Sequence, residues 1–184
     1  MLAAGAGSRF GGSKQLAELE GAPLLEHVLR EMSRPPLDRV AVVVGAGALA
    51  VLRGVERYGA LPVVAAGWEE GQSASLRAGI EALRDCEAVV VVLGDQPRIS
   101  AAAVARVIEN RGGGALAVRA TYDGQPGHPV LIERDLFPAI TKLTGDTGAR
   151  DLLADVDVRL VACDGLGRPD DVDTPEELQA LRSD

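Results

Sequence analysis

The sequence predicts an α/β fold with a mostly parallel central sheet, and three observations point there. Short aliphatic runs alternate with amphipathic stretches along the whole chain. The strongest run, Ala88 to Leu93, is apolar at every position, as a strand covered by helices on both faces requires. Glycine-rich or acidic turns follow the carboxyl ends of two such runs, where open α/β sheets bind their ligands.

Taken in order, the first strand is confined to Met1–Ala4, shorter than the typical length of about five residues. It is either an unusually short strand or one preceded by a few further native residues. Later strands are expected at Arg39–Val44, Val63–Ala66, Ala88–Leu93, Leu116–Thr121 and Val158–Ala162. Helices are expected at Pro23–Met32, Gly47–Tyr58, Ser73–Arg84, Ala101–Arg111 and Pro175–Arg182. The last opens on Thr174-Pro175-Glu176-Glu177, which supplies an N-cap, a first-turn proline and two early acids. No repeat or linker interrupts the pattern, and 184 residues suit one domain, residues 1–184, at roughly 150 residues per domain.

Composition narrows the function. Apolar residues make up 47% and aromatics 3%, which excludes disorder and implies a core of Ala, Val and Leu. The 22 Gly and 10 Pro exclude a coiled coil. No apolar run approaches about 18 residues, so no membrane span is expected. No basic flank precedes an apolar stretch at the N-terminus, so a soluble cytoplasmic protein is expected. Cys86 and Cys163 lack metal or redox spacing and read as free thiols. The net charge of −8, with no run of cations, argues against a nucleic-acid partner. An anionic small molecule would need a few placed cations, backbone N–H groups or a metal.

Three segments carry candidate chemistry. In the first, Leu2-Ala3-Ala4-Gly5-Ala6-Gly7-Ser8-Arg9-Phe10-Gly11-Gly12-Ser13-Lys14-Gln15, glycines let the backbone approach an oxyanion while Arg9 and Lys14 supply charge for a polyphosphate. Its spacing is neither GxGxxG nor GxxxxGK[ST], which sets aside the ordinary dinucleotide and P-loop readings. Lysine is also scarce, with 17 of the 19 cations being arginine, so Lys14 stands out. The competing reading is a solvated loop with two surface cations. The second segment is Leu93-Gly94-Asp95-Gln96-Pro97, where Asp95 could coordinate Mg²⁺ or simply start a turn. The third is Asp170-Asp171-Val172-Asp173, whose carboxylates either share a cation or serve as dipole partners and caps for the last helix. Weaker candidates are Gly71, Ser73 and Ser75 at a helix start, Gly127-His128-Pro129 read as a tight turn, and Gly145–Asp151 with Arg150.

LAAGAGSRFGGSKQL, WEEGQSASLRAGI, VVVVLGDQP, GQPGHPVL, GDTGARDLL and DVDTPEEL follow one another as they do in a known family. The chain resembles the molybdenum-cofactor nucleotidyltransferases, most closely the cytidylyltransferase branch, from Leu2 to about Leu181. The resemblance implies a single-domain, Rossmann-like three-layer nucleotidyltransferase fold. It implies Mg²⁺-dependent transfer of CMP from CTP to the terminal phosphate of molybdenum-molybdopterin, releasing pyrophosphate. It places Arg9 and Lys14 on the triphosphate, and Ala3, Ala4, Gly5, Gly7, Gly71, Ser73 and Ser75 about the nucleotide. Asp95 and Asp173 fall on the metal ligands, and Gly127, His128, Pro129 and Arg150 face the acceptor. LAAG in place of LAGG favours CTP over GTP. A recipient molybdoenzyme or its chaperone is the implied partner. The alternatives are a guanylyltransferase, a transferase using another phosphorylated acceptor, and a non-catalytic molybdopterin carrier. A dinucleotide-binding redox protein is disfavoured by the absent GxGxxG spacing.

Overall fold

A computed structural model describes residues 1–146 and 148–183, with Arg150 and Asp151 described by backbone alone. The chain opens with β1 (Leu2–Ala3), a short 3-10 turn at Lys14–Leu16, and a hairpin of β2 (Glu18–Leu19) and β3 (Ala22–Pro23). Then come α1 (Leu24–Met32), β4 (Ala41–Val44), α2 (Ala48–Gly54), β5 (Leu61–Val64) and α3 (Gln72–Ala82). β6 (Ala88–Val91), α4 (Ala101–Glu109), β7 (Ala117–Tyr122) and β8 (Gln125–Glu133) follow. The remainder is α5 (Phe137–Ile140), α6 (Ala149–Leu153), β9 (Val158–Ala162) and α7 (Pro175–Arg182).

β5, β4 and β1 pair in parallel in that order. A parallel bridge between Leu2 and Leu93 joins β1 to the end of β6. The order then continues β6, β8, β7, β9. β8 alone runs antiparallel to its neighbours, while β7 and β9 are parallel. The mostly parallel sheet expected from the apolar runs is therefore present, with one reversed strand.

Alternation along the strands loads both faces. Ala3, Val42, Val44 and Val92 pack with Leu25, Val28 and Leu29 of α1, Val51 of α2 and Val104 of α4. Val89, Val91, Val130 and Ile132 pack on the other side with Leu76 and Ile80 of α3 and Ile140 of α5. Helices on both faces make three layers, and each fully buried valine contributes about 1.5–2 kcal/mol through removal of its surface from water.

Several expectations need correction. Gly127-His128-Pro129 is no tight turn: it lies inside β8. The register between β7 and β8 shifts between Arg119 and Thr121, so these residues form an irregularity in the pairing. Proline donates no ladder hydrogen bond and is tolerated at such breaks. The helix expected to reach Tyr58 ends at Gly54, with Val55 extended. Beyond it, the Glu56 N–H and Tyr58 hydroxyl both donate to the Glu26 carboxylate, which ties this segment to α1 outside any helix. β5 starts two residues earlier than expected. The β2–β3 hairpin, α5 and α6 are further elements that the apolar pattern does not single out.

Candidate active site

The carboxyl ends of β1 and β6 meet at the Leu2–Leu93 bridge, and both glycine-bearing turns leave from there. After β1 the chain folds back on itself: the Phe10 and Gly11 N–H groups both donate to the Gly7 carbonyl at 3.0 Å. Gly7 has φ +64°, and a Cβ there would sit 2.3 Å from the Gly12 carbonyl oxygen, so only glycine fits. The turn delivers Gln15, almost fully buried, whose side-chain amide donates to the carbonyls of Ala3 (3.0 Å) and Gly5 (2.9 Å). Gln15 thus fastens the loop to the strand end. The sequence alone does not mark Gln15, because its partners are backbone carbonyls 12 and 10 positions away.

Lys14 precedes it, with its side chain only 11% exposed. The Lys14 Nζ donates to Asp95 Oδ2 at 2.7 Å and to Asp173 Oδ1 at 2.8 Å. Arg9, 76% exposed, reaches Asp173 Oδ2 at 2.8 Å. Two cations from the first loop and two carboxylates from positions 95 and 173 therefore converge. Burial pulls the Lys14 ammonium toward neutrality, but the hydrogen bonds it donates to Asp173 and Asp95, with their negative charge, outweigh it, and its pKa stands above the ordinary lysine value. The Asp173 carboxyl is held below the usual range, chiefly by its hydrogen bond from Lys14.

Gly94 makes the approach of Asp95 possible. A Cβ there would lie 2.7 Å from Leu25 Cδ1 and 2.9 Å from the Ala3 methyl. The Val172 N–H donates to the Asp95 carbonyl at 3.0 Å and draws the third segment against the second. Val172 itself is sealed among Leu19, Leu24, Leu178 and Leu181.

The two readings of the acidic segment now separate. Thr174 caps α7: its hydroxyl accepts from the Glu177 N–H at 3.2 Å, and Glu177 returns bonds to the N–H groups of Thr174 and Asp173. The Asp173 carboxylate takes no part in that cap and is turned to Lys14. Asp170 pairs with Arg168 at the surface. Asp171 accepts from the Gln96 amide at 2.9 Å, and its carboxyl is pushed up by desolvation and by the charge of Asp95.

Two clefts flank this cluster. One, of about 430 Å³, is lined by Ala3, Ala4, Gly5, Arg9, Lys14, Trp68, Gly71, Ser75 and Asp95, among others. The other, of about 360 Å³, is lined by Gln96, Arg119, Tyr122, Gly127, His128 and Asp171, and shares Leu2, Gln72 and Leu93 with the first. His128 is held to a pKa of about 4, mainly by desolvation and then by the charge of Arg119, so its ring is neutral at pH 7. The Tyr122 hydroxyl donates to the His128 carbonyl at 2.9 Å.

The remaining candidates divide. Gly71 and Ser75 line the first cleft, whereas Ser73 is fully buried and donates its hydroxyl to the Gly145 carbonyl at 2.7 Å. Gly71 explains that contact: at φ +123° its Cα touches the turn at Gly145, and a Cβ would lie 2.6 Å from the Gly145 carbonyl. Ser73 and Gly71 therefore lock a loop onto the start of α3. Gly7 shapes its own turn and does not line either cleft. Pro129 lies beside the second cleft's His128 in β8, and the Arg150 side chain lies outside the described residues. Trp68, at the start of a 3-10 turn (Trp68–Glu70), and Gln96, in the turn after β6, also line the clefts, and nothing local in the sequence marks either as a site residue.

Residues 1–161 match the family model of the MobA-like NTP transferase domain. The chain belongs to that family. As a MobA-like NTP transferase it is 33% identical to nicotine blue oxidoreductase of Paenarthrobacter nicotinovorans, over 98% of this chain and 94% of that protein. It is 36% identical to the solved Rv0371c homolog of Mycobacterium sp. strain JC1, with a TM-score of 0.85 over 99% of this chain and 92% of the other. Rv0371c of Mycobacterium tuberculosis, solved in complex with manganese, is 29% identical with a TM-score of 0.84, over 99% and 95% of the two chains. The TM-scores of 0.84 and 0.85 show that these mycobacterial proteins share the fold described above.

Proposed function

We propose that residues 1–184, acting as one nucleotidyltransferase domain, transfer CMP from CTP to the terminal phosphate of a molybdopterin-type acceptor. The observation that carries this reading is the buried Lys14, which lines the first cleft and bridges Asp95 and Asp173, with Asp95 two residues beyond Leu93, a residue that both clefts share. One cleft suits the nucleotide and the other the acceptor, and the reacting phosphates would lie between them.

An acceptor phosphate oxygen attacks the α-phosphorus, the α–β phosphoanhydride bond breaks, and pyrophosphate departs with its electron pair. A phosphate monoester dianion is already a nucleophile, so the protein need not supply a strong base. Its task is to hold two polyanions together, by positioning and by placed charge. Lys14 and Arg9 would bind the triphosphate and stabilise charge on the leaving group. Gln15 and the Gly7 turn keep the loop's backbone in place beneath it. His128, neutral, and Arg119 would meet the acceptor.

The residues fit a divalent cation. Asp95 Oδ1 is buried without a hydrogen-bond partner, and both Asp95 and Asp173 offer the hard oxygen donors that Mg²⁺ prefers. Asp95 and Asp173 would hold it, and when bound it supplies neutralising charge at the phosphates. Choice of CTP is supported by Ala3-Ala4 at the first turn, where the guanylyl relatives read LAGG. A recipient molybdoenzyme, or its chaperone, is the proposed destination of the product in the cytoplasm.

The name of the 33% identical relative favours a second reading, an oxidoreductase on the same fold. Against it stands the cluster of Lys14, Asp95 and Asp173, which hydride transfer does not require. The chain's one tryptophan, Trp68, lines the first cleft and reports binding directly. Titration by its fluorescence, with Mg²⁺, should show CTP binding about tenfold or more tighter than GTP, worth about 1.4 kcal/mol. GTP preference would move the proposal to guanylyl transfer, and preference for a reduced nicotinamide would move it to the second reading.

A further inference from the structure

We propose that Lys14 and Arg9 act as place-holders for the divalent cation, so that the metal site opens only when a nucleoside triphosphate draws them away. The inference rests on the nucleotidyl-transfer reading and specifies how its two charged ligands depend on each other.

Of the four carboxylate oxygens on Asp95 and Asp173, three are held by protein cations. Lys14 holds Asp95 Oδ2 and Asp173 Oδ1, and Arg9 holds Asp173 Oδ2. The fourth, Asp95 Oδ1, is buried and unpartnered. Among the described residues, no group of three or more His, Cys, Asp or Glu side chains forms a metal-holding cluster. A dication entering alone would thus find two ligand residues and an ammonium already between them. Mg²⁺ and Mn²⁺ commonly complete such sparse sites with phosphate oxygens.

A triphosphate changes both conditions. It offers Lys14 and Arg9 a more highly charged partner than either aspartate, and it brings oxygens for the metal. Both cations can respond: Arg9 sits on an exposed loop, and the lysine ammonium rides on a flexible four-carbon stem. Freed from them, Asp95 and Asp173 can turn to the dication. Triphosphate and metal must then strengthen each other's binding by the same factor.

The test is Mn²⁺ binding to the full chain, read from the paramagnetic resonance of the free ion. The wild type should bind Mn²⁺ about tenfold or more tightly once it holds α,β-methylene-CTP than without it. Lys14→Met should bind Mn²⁺ alone about tenfold more tightly than the wild type, and Lys14→Arg should keep the wild-type weakness. Arg9→Gln, at an exposed position that does not burden folding, should tighten Mn²⁺ severalfold and decides the matter if Lys14→Met does not fold. Mn²⁺ affinity that is unchanged or weakened in the folded variants, or indifferent to α,β-methylene-CTP in the wild type, overturns the proposal. Since no turnover is measured, failure of CMP transfer would strike the functional reading and leave this coupling standing.

Discussion

His128 provides an acid-sensitive element in the second cleft. Its imidazole is partly buried in β8 near Arg119, and both desolvation and that charge oppose protonation, holding its pKa at about 4. In the unfolded chain it returns to the ordinary value of about 6.5. The unfolded state then binds the extra proton first as pH falls. The stability attached to the neutral ring is fully present above pH 6.5 and is lost progressively as pH falls toward 4. Between pH 7.5 and pH 5 this amounts to about 2 kcal/mol, and partial exposure of the ring makes that an upper figure. Urea unfolding of the wild type and His128→Asn at those two pH values isolates the effect, because the carboxylates and His27 are common to both. The variant should lose about 2 kcal/mol less over that interval. Parallel pH profiles for the two proteins would show that the ring is solvated, and the account of a desolvated, neutral His128 would fail.

Three further substitutions test the local architecture. Thr174→Ala removes the cap of α7 and should cost about 1 kcal/mol in thermal or urea unfolding while pyrophosphate release continues. Asp173→Asn should do the opposite, lowering turnover by about 10²-fold with the cap intact; exchanged effects would return Asp173 to a helix-end role. Gly71→Ala forces a left-handed φ on a side chain that would meet the Gly145 carbonyl, and should cost about 2–3 kcal/mol by urea denaturation. A loss below about 0.5 kcal/mol would show that the 145 turn does not press on α3.

The central strands were legible because Ala41–Val44 is buried at every position and Ala88–Val91 is buried on one face and half-buried on the other, so both runs are apolar throughout. The start of α7 was legible because capping is a local interaction spanning three residues. β8 was not, since Pro126, Gly127 and Pro129 are the residues that ordinarily end strands, and only the broken register against β7 accommodates them. In the site, residue types and strand ends pointed to Arg9, Lys14, Asp95 and Asp173. What joined them was not visible: the Lys14 bonds span 81 and 159 positions, distances over which a single sequence carries no pairing signal. The same limit hid the turn of Ser73, whose hydroxyl serves Gly145, 72 positions away, and not a nucleotide.

Transfer itself is the most direct test. CTP labelled at the α-phosphate, incubated with the protein, Mg²⁺ and a molybdopterin acceptor, should give labelled dinucleotide and one pyrophosphate per transfer. Asp95→Ala should abolish this while remaining folded. Absence of transfer from any NTP, or full transfer by Asp95→Ala, would contradict the assignment of this cluster to nucleotidyl chemistry.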